Sequence, residues 1–302
     1  TFDPPVGTYI DDIYISRQNA NNFALFDLER VEVLRGPQGT LFGRNTTGGA
    51  VRLIHNKPSD TLGASFEFSY GRFNEKLFRG SLDTPLGDKL LAKFSAYYLD
   101  DDGYVFNVRT NQRLNDAKGY GFRGAITFLP RDDIRWDLSI SKVNHDEAGT
   151  IATPRNGDGV SPFSSNAVFT LPLAASASTD LPRIANTGLR DGRREKDILA
   201  QFLSGNGPNF NEVDTWLLSS NVQLDLEHMS LEIITGYVDL EQDFALDFFD
   251  GAIFSTPPVA PFGTFSIANI GSHEQFTQEV KAHGRLFDEL IDYVAGIYYY
   301  NE

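Results

Sequence analysis

The residues able to do chemistry are concentrated early in the chain. Arg35, Arg44 and Arg52 stand close to Glu29 and Glu32, a set suited to forked guanidinium–carboxylate pairing. Among them lie Gly36, Gly39, Gly43, Gly48 and Gly49. A phosphate-cradling loop would need a closing Gly-Lys-Ser/Thr or the Rossmann spacing, and this stretch has neither; the glycines read as backbone positions for bends and close approach. Asp100, Asp101 and Asp102 precede Gly103. Three adjacent carboxylates of an extended chain cannot all turn toward one calcium ion, so a solvated loop is the preferred reading. Asn156-Gly157-Asp158-Gly159 reads as a plain turn. His55, His145, His228, His273 and His283 lack metal-ligand spacing, and haem ligation by His145 or His273 is not favoured. There is no cysteine, which removes thiolate metal sites, thiol nucleophiles and disulfides together. No triad or nucleophile-elbow motif is present. The expectation is no catalytic residue, no metal and no cofactor, so the protein is not an enzyme. The remaining conspicuous feature is aromatic: Phe244, Phe248, Phe249, Phe254, Phe262 and Phe265 crowd one segment, and such rings are costly to expose uncovered.

These residues must be held by a fold, and the composition restricts it. The 302 residues carry 26 Lys plus Arg against 41 Asp plus Glu, a net charge of −15. That excess argues against a nucleic-acid partner, which requires clustered cations, and leaves no polybasic patch for an anionic membrane surface. The start of the chain shows no signal-peptide pattern. No run of 18 apolar residues suggests a membrane helix. Mean hydropathy is −0.28, a value that does not count against a β-barrel, whose strands show only alternate residues to lipid. The 24 Phe and 12 Tyr beside a single Met suit strands and membrane interfaces.

Two regions differ in pattern. Residues 1–60 mix short strands with the glycine-rich segment. From Gly63 onward, long strands with period-two alternation are expected near 63–72, 76–85, 89–99, 118–129, 134–145, 213–227, 229–243, 274–286 and 290–301. Most exceed the ~5–6 residues of an ordinary strand. In one, Ile134, Trp136, Leu138 and Ile140 oppose Arg135, Asp137, Ser139 and Ser141; in the next, Trp216, Leu218, Val222 and Leu224 oppose Ser219, Asn221, Gln223 and Asp225. A soluble sandwich alternates in the same way. The connections separate the two cases: tight polar turns at 85–89, 130–133, 227–229 and 287–289 alternate with loops at 73–75, 100–117, 146–212 and 244–273. Short turns at one end and long loops at the other favour an outer-membrane barrel. Within the longest loop, 190–204 has the spacing of a short amphipathic helix.

The stretch VEVLRGPQGTLFGRNTTGGAVRLIHNKPS, residues 31–59, carries the most specific signal. With the upstream GTYIDDIYISR and the downstream FTQEVKAHGRLFDELIDYVAGIYYYNE, it closely resembles the TonB-dependent outer-membrane receptors. The motif rests on Arg35, Gly36, Pro37, Gly39, Gly43, Gly48 and Gly49. The resemblance implies an all-β fold: the C-terminal part of a plug domain (1–60), then about nine strands of a transmembrane antiparallel barrel that has 22 in the family (61–302). It further implies a Gram-negative outer-membrane location, surrounding lipid, and coupling to the inner-membrane TonB–ExbB–ExbD complex through a TonB box missing from this sequence. The expected cargo is a scarce small molecule, foremost an iron chelate such as a ferric siderophore, with haem, cobalamin, nickel chelates or oligosaccharide as alternatives. A nine-stranded open sheet would leave unpaired edges in lipid, so the sequence reads as a fragment.

Under that resemblance Arg35, Arg44 and Arg52 are candidates to pair with the barrel wall, with Glu279 as preferred partner on the polar side of its strand; an internal plug network is the equal alternative. Phe244, Phe248, Phe249 and Phe254 are candidates for a ligand vestibule, against loop packing or an interface girdle. Phe66, Phe68, Trp136, Trp216 and Tyr299 should face lipid. Lysine at Leu138 should cost ~2–4 kcal/mol and at Ser139 little. Rival readings are a passive porin-like channel, which has no use for residues 1–60, and a secreted enzyme on a β scaffold.

Overall fold

The computed structural model describes residues 5–17, 26–42, 45–107, 112–147, 183–184, 210–247, 266–286 and 290–302. The glycine-rich N-terminal region forms a four-stranded sheet from β1 (Val6–Ile10), β2 (Ile13–Ile15), β3 (Leu28–Arg35) and β4 (Gly49–His55), in the order β2-β1-β4-β3. A single helical turn, α1 (Gly39–Phe42), lies between β3 and β4. β1 runs parallel to β4 and antiparallel to β2. The β1–β2 connection is two residues, Asp11 and Asp12, both at positive φ (47° and 69°). This is the primed geometry that matches strand twist, and aspartate is one of the few side chains that tolerates it.

A nine-stranded sheet follows: β5 (Gly63–Tyr70), β6 (Lys76–Pro85), β7 (Leu90–Asp101), β10 (Ala117–Arg131), β11 (Ile134–Glu147), β13 (Phe210–Asp225), β14 (Met229–Asp247), β15 (Ser266–Leu286) and β16 (Ile291–Asn301). Each strand pairs antiparallel with its predecessor along the sheet. All nine expected strands are present. β14 and β15 run further than expected, pairing Asp247 with Ser266. The Ser-, Asn- and Gly-containing start of β15 has weak strand propensity, and the ladder to β14 overrides it. The expected loop 100–117 also holds structure: β8 (Val105–Asn107) and β9 (Gln112–Leu114) form a hairpin that β12 (Arg183–Ile184) joins in parallel. The turns at one end are tight, with Leu86 N donating to Leu90 O at 2.7 Å and Leu226 N to Met229 O at 2.8 Å. The turn at 287–289, the turn at 156–159 and the helix expected at 190–204 lie outside the described residues.

The two faces of the large sheet have different fates. Phe66 (73% exposed), Phe68, Trp136, Trp216 and Tyr299 all point outward. The inward face meets the small sheet, but it is not uniformly polar. Val213, Leu217, Ile234, Val238 and Leu240 are buried against Ile10, Ile13, Ile15 and Leu53. β13 and β14 therefore carry apolar side chains on the inward face where the small sheet lies against them. Ser139, expected to accept lysine at little cost, is only 8% exposed and faces the small sheet. Lysine there would be buried, which corrects the earlier expectation.

Candidate functional site: the plug–wall interface

The interface is built mainly by the hairpin turn and by the ends of β3 and β4. Asp11, in the primed turn, accepts from His55 twice: backbone N to Oδ1 at 2.9 Å and ring Nδ1 to Oδ2 at 2.8 Å. Asp27 precedes β3 at φ 54°, a conformation that sends its carboxylate toward the wall. There it meets Ser95 Oγ at 2.6 Å, Lys93 Nζ at 3.5 Å and Arg123 Nη1 at 3.7 Å. Arg123 also lies 3.6 Å from Asp11 and donates to the Asn56 carbonyl at 3.1 Å. Lys93 bonds Asp83 at 2.8 Å, and Asp83 accepts from Ser59 N at 3.0 Å. The side chains of Asp27, Lys93 and Arg123 are exposed by only 4%, 7% and 7%. Phe26 covers the cluster, stacked 4.8 Å from Tyr97 and packed with Val143.

Burial alone would raise the Asp11 carboxyl, but the His55 hydrogen bond and charge and the Arg123 charge outweigh it and hold Asp11 below its ordinary value. Lys57 adds a half-exposed pair to Asp137 at 2.8 Å. Toward the other end of β2, Ser16 N donates to Gln275 Oε1 at 3.1 Å and Ser16 Oγ lies 3.0 Å from His273; Gln275 donates to the Tyr14 carbonyl, and Arg17 pairs with Glu302. Gly236 of β14 provides the notch for this edge. A Cβ there would meet Ile13 Cγ2 at 2.6 Å, so only glycine lets β2 lie this close.

The arginines singled out in the sequence are placed differently from one another. Arg52 is bound within the small sheet, to Glu32 at 2.7 Å and to Asp12. Its burial opposes the charged form, yet Asp12 and Glu32 raise its pKa. Glu279 bonds Lys281 at 3.4 Å on its own strand. Arg52 and Glu279 nevertheless line one cavity of about 590 Å³, with Tyr9, Tyr14, Phe42, Lys281, Tyr298 and Tyr300. Arg35 is exposed at the end of β3, where its carbonyl accepts from Gln38 Nε2 at 3.4 Å. Arg44 and Gly43 lie outside the described residues. Gly36 takes φ +84°, and Gly49 takes φ +147° with Leu34 O only 2.3 Å from where a Cβ would stand. Pro37 follows Gly36, Gly39 opens α1, and Gly48 N donates to Pro5 O at 2.8 Å.

Register puts Phe244 on the same face of β14 as Val238 and Leu240, toward the interior. Phe248, Phe249 and Phe254, like Phe262 and Phe265, lie outside the described residues. Asp100 is engaged by Lys76 at 3.2 Å and Lys118 at 3.8 Å. Asp101 accepts from Gly103 N at 2.7 Å. Among the described residues no group of three or more His, Asp or Glu side chains is arranged to hold a metal ion.

Sequence reasoning missed Asp11, Asp27, Lys93 and Arg123. One signal was available: Arg123 sits on the inward parity of β10 among Gly119, Gly121, Ala125 and Thr127, and a lone cation among small and polar neighbours calls for a partner.

Residues 2–50 match the model of the TonB-dependent Receptor Plug Domain. The pesticin receptor of Yersinia enterocolitica is 30% identical over 145 residues, 46% of this chain and 21% of that protein.

These matches make the chain similar to the TonB-dependent receptors.

The ferrichrome outer membrane transporter/phage receptor of Escherichia coli K12 is 25% identical over 235 residues, covering 72% of this chain and 27% of its own length. Among solved structures, the ferric yersiniabactin uptake receptor of Yersinia pestis superposes with a TM-score of 0.71 at 17% identity, covering 98% of this chain and 39% of that one. That likeness shows a shared fold. The chain spans 21% of the length of the pesticin receptor and 27% of that of the ferrichrome transporter. Its small sheet has the place of the plug and its large sheet that of the barrel wall, in the outer membrane.

Proposed function

We propose that this chain is the plug end (residues 1–60) and the first part of the barrel (61–302) of an energy-coupled importer. Its cargo is a scarce ligand, a ferric siderophore before any other, and its partner is the inner-membrane TonB–ExbB–ExbD complex. The observation that carries this reading is the seated plug. A separate sheet lies against the inner wall, held by ion pairs and hydrogen bonds that can be broken and re-formed. A passive porin has no use for such an element, and binding with gated passage needs no chemistry on the cargo. The choice of iron follows the relatives, one a ferrichrome transporter and one a ferric yersiniabactin receptor. Arg52 and Glu279 on one cavity, and Phe244 on the inward face of β14, are the residues we assign to the ligand's path.

The test is uptake by the full-length receptor in cells lacking their own iron-chelate receptors. Radioiron ferrichrome, ferric yersiniabactin, haem and radiolabelled cobalamin form the panel. Uptake of one iron chelate that is abolished by a protonophore or by loss of TonB is the expected result. Steady ion conductance of the purified receptor in planar bilayers, with uptake indifferent to TonB, would establish the porin reading instead.

A further inference from the structure

The charged side chains between the small sheet and the wall form one alternating file. Asp83 bonds Lys93 at 2.8 Å, and Lys93 stands 3.5 Å from Asp27. Asp27 lies 3.7 Å from Arg123, and Arg123 lies 3.6 Å from Asp11. The file ends where Asp11 meets His55 Nδ1 at 2.8 Å. Asp83, Lys93 and Arg123 belong to the wall strands β6, β7 and β10; Asp27, Asp11 and His55 belong to the small sheet and its turns. No side chain of the file is more than 16% exposed. These pairs are therefore closed whatever further chain surrounds them, and together they clamp the small sheet to the wall.

The charges of the file do not balance without His55. Three carboxylates face two permanent cations, Lys93 and Arg123. With a neutral imidazole the file carries one excess negative charge, at its Asp11 end. With an imidazolium the alternation is complete and the sum is zero. An uncompensated charge in a dry site is costly, so the site favours the second proton. The groups around His55 have partners of their own. From the same turn, Asp12 pairs with Arg52, which Glu32 shares. Lys57 pairs with Asp137 of β11, which Arg135 also holds. Phe26 presents its ring to the imidazole with centroids 6.4 Å apart. Among the described residues, Arg123 is the only other cation paired with Asp11, and Asp27 shares it. His55, Asp12, Lys57 and Asp137 border a cavity of about 70 Å³. It is polar and large enough for water, which gives a proton a route to the ring.

We infer that the wall recognises the doubly protonated form of His55, so that seating the small sheet takes up a proton from solvent. A group that gains its charge partner on seating stabilises the seated state while it holds the proton, and that contribution is lost as pH rises. His55 thus sets the alkaline limit of seating, as Asp11 sets the acid one. The inference rests on the importer reading for its use in transport; the proton itself can be measured with neither cargo nor TonB present.

The test is hydrogen exchange of the 11–15 and 53–57 peptides in the full-length receptor in bilayer nanodiscs, corrected for the intrinsic rate at each pH. In the wild type, exchange should rise roughly tenfold between ~pH 6 and ~pH 9. A flat profile over that range would mean that seating takes up no proton and would overturn the inference, with no variant needed. His55→Asn keeps a donor where Nδ1 stands but cannot take the charge. At ~pH 6 it should exchange roughly tenfold faster than the wild type. Adding Asp11→Asn returns the file to neutrality and should bring exchange back toward the wild-type rate. Wild-type exchange in His55→Asn, or faster exchange in the double variant than in the single one, would mean a neutral imidazole and would equally overturn it. The expected profile in a receptor that takes up no iron chelate would count against the importer reading alone.

Discussion

The two ends of the plug sheet are made from the same strands yet are held by opposite means. The end containing Asp11, Asp27 and His55 is bound outward, to Lys93 and Arg123 of the wall. The end containing the Arg-Gly-Pro motif is bound inward, by Gly36 N to Gly48 O and Gln38 N to Thr46 O, with Arg52 of the adjoining β4 paired to Asp12 and Glu32 and Arg35 exposed. The wall-facing end spends charge on attachment, whereas the motif end spends glycine on conformation. In this plug the densest motif marks the part that is shaped, and scattered single charges mark the part that is fastened.

The largest effect that could break this comparison is expected at Arg123. Arg123→Met keeps much of the volume but leaves Asp11 and Asp27 with less compensating charge, and removing one partner of a buried network costs ~3–5 kcal/mol. Vancomycin sensitivity of cells carrying the full-length receptor should rise while the barrel's heat-modifiable migration is unchanged; unaltered sensitivity would remove Arg123 from the clamp. The outward face gives the next effect. Leu138→Lys should lower barrel stability by ~2–4 kcal/mol in refolding titrations. Ser139→Lys should fold with the barrel intact but with the plug displaced, because it introduces a long cation into the packed face. Gly236→Val comes third, at ~1–3 kcal/mol of overpacking against Ile13, read as faster maleimide labelling of Thr277→Cys. The smallest is Arg30→Ala. Its pairs with Glu29 and Glu32 lie on the surface, where solvent screens them, so thermal unfolding should scarcely shift.

Acid gives a check with a defined sign. Asp11 is held below its ordinary value, so its contribution to seating is present above the ordinary aspartate range and is lost as pH falls through the lower folded value. The Asp11 end should therefore stay seated at pH 5 and loosen only below ~4, read as hydrogen exchange of the 11–15 peptide corrected for the intrinsic rate at each pH.

Much of the barrel could be read from the sequence because its constraints are local. Alternation such as Trp136 and Leu138 against Asp137 and Ser139 identifies a strand and its outward face within a few residues. The tight turns after Pro85 and at Leu226 mark one end of the sheet in the same way. What escaped depends on distant pairs. Nothing near Asp27 announces Lys93 or Arg123, since strands far apart in sequence bring them together. The motif arginines drew attention because they cluster, although clustering in sequence favours pairing with neighbours, as Arg52 shows. The apolar inward positions of β13 were legible in part: Leu217 stands between the outward Trp216 and Leu218, so the polar–apolar alternation breaks there. The extra length of β15 was not, because Ser266–Gly271 becomes strand only through its ladder to β14.

The most direct test is hydrogen exchange of the full-length receptor in bilayer nanodiscs, comparing wild type with Arg123→Met peptide by peptide. The account predicts strong protection of 11–15 and 53–57 in the wild type and a gain in exchange on substitution confined to those two segments. No change at 11–15 and 53–57 when Arg123 is replaced would contradict a small sheet fastened to the wall through Arg123.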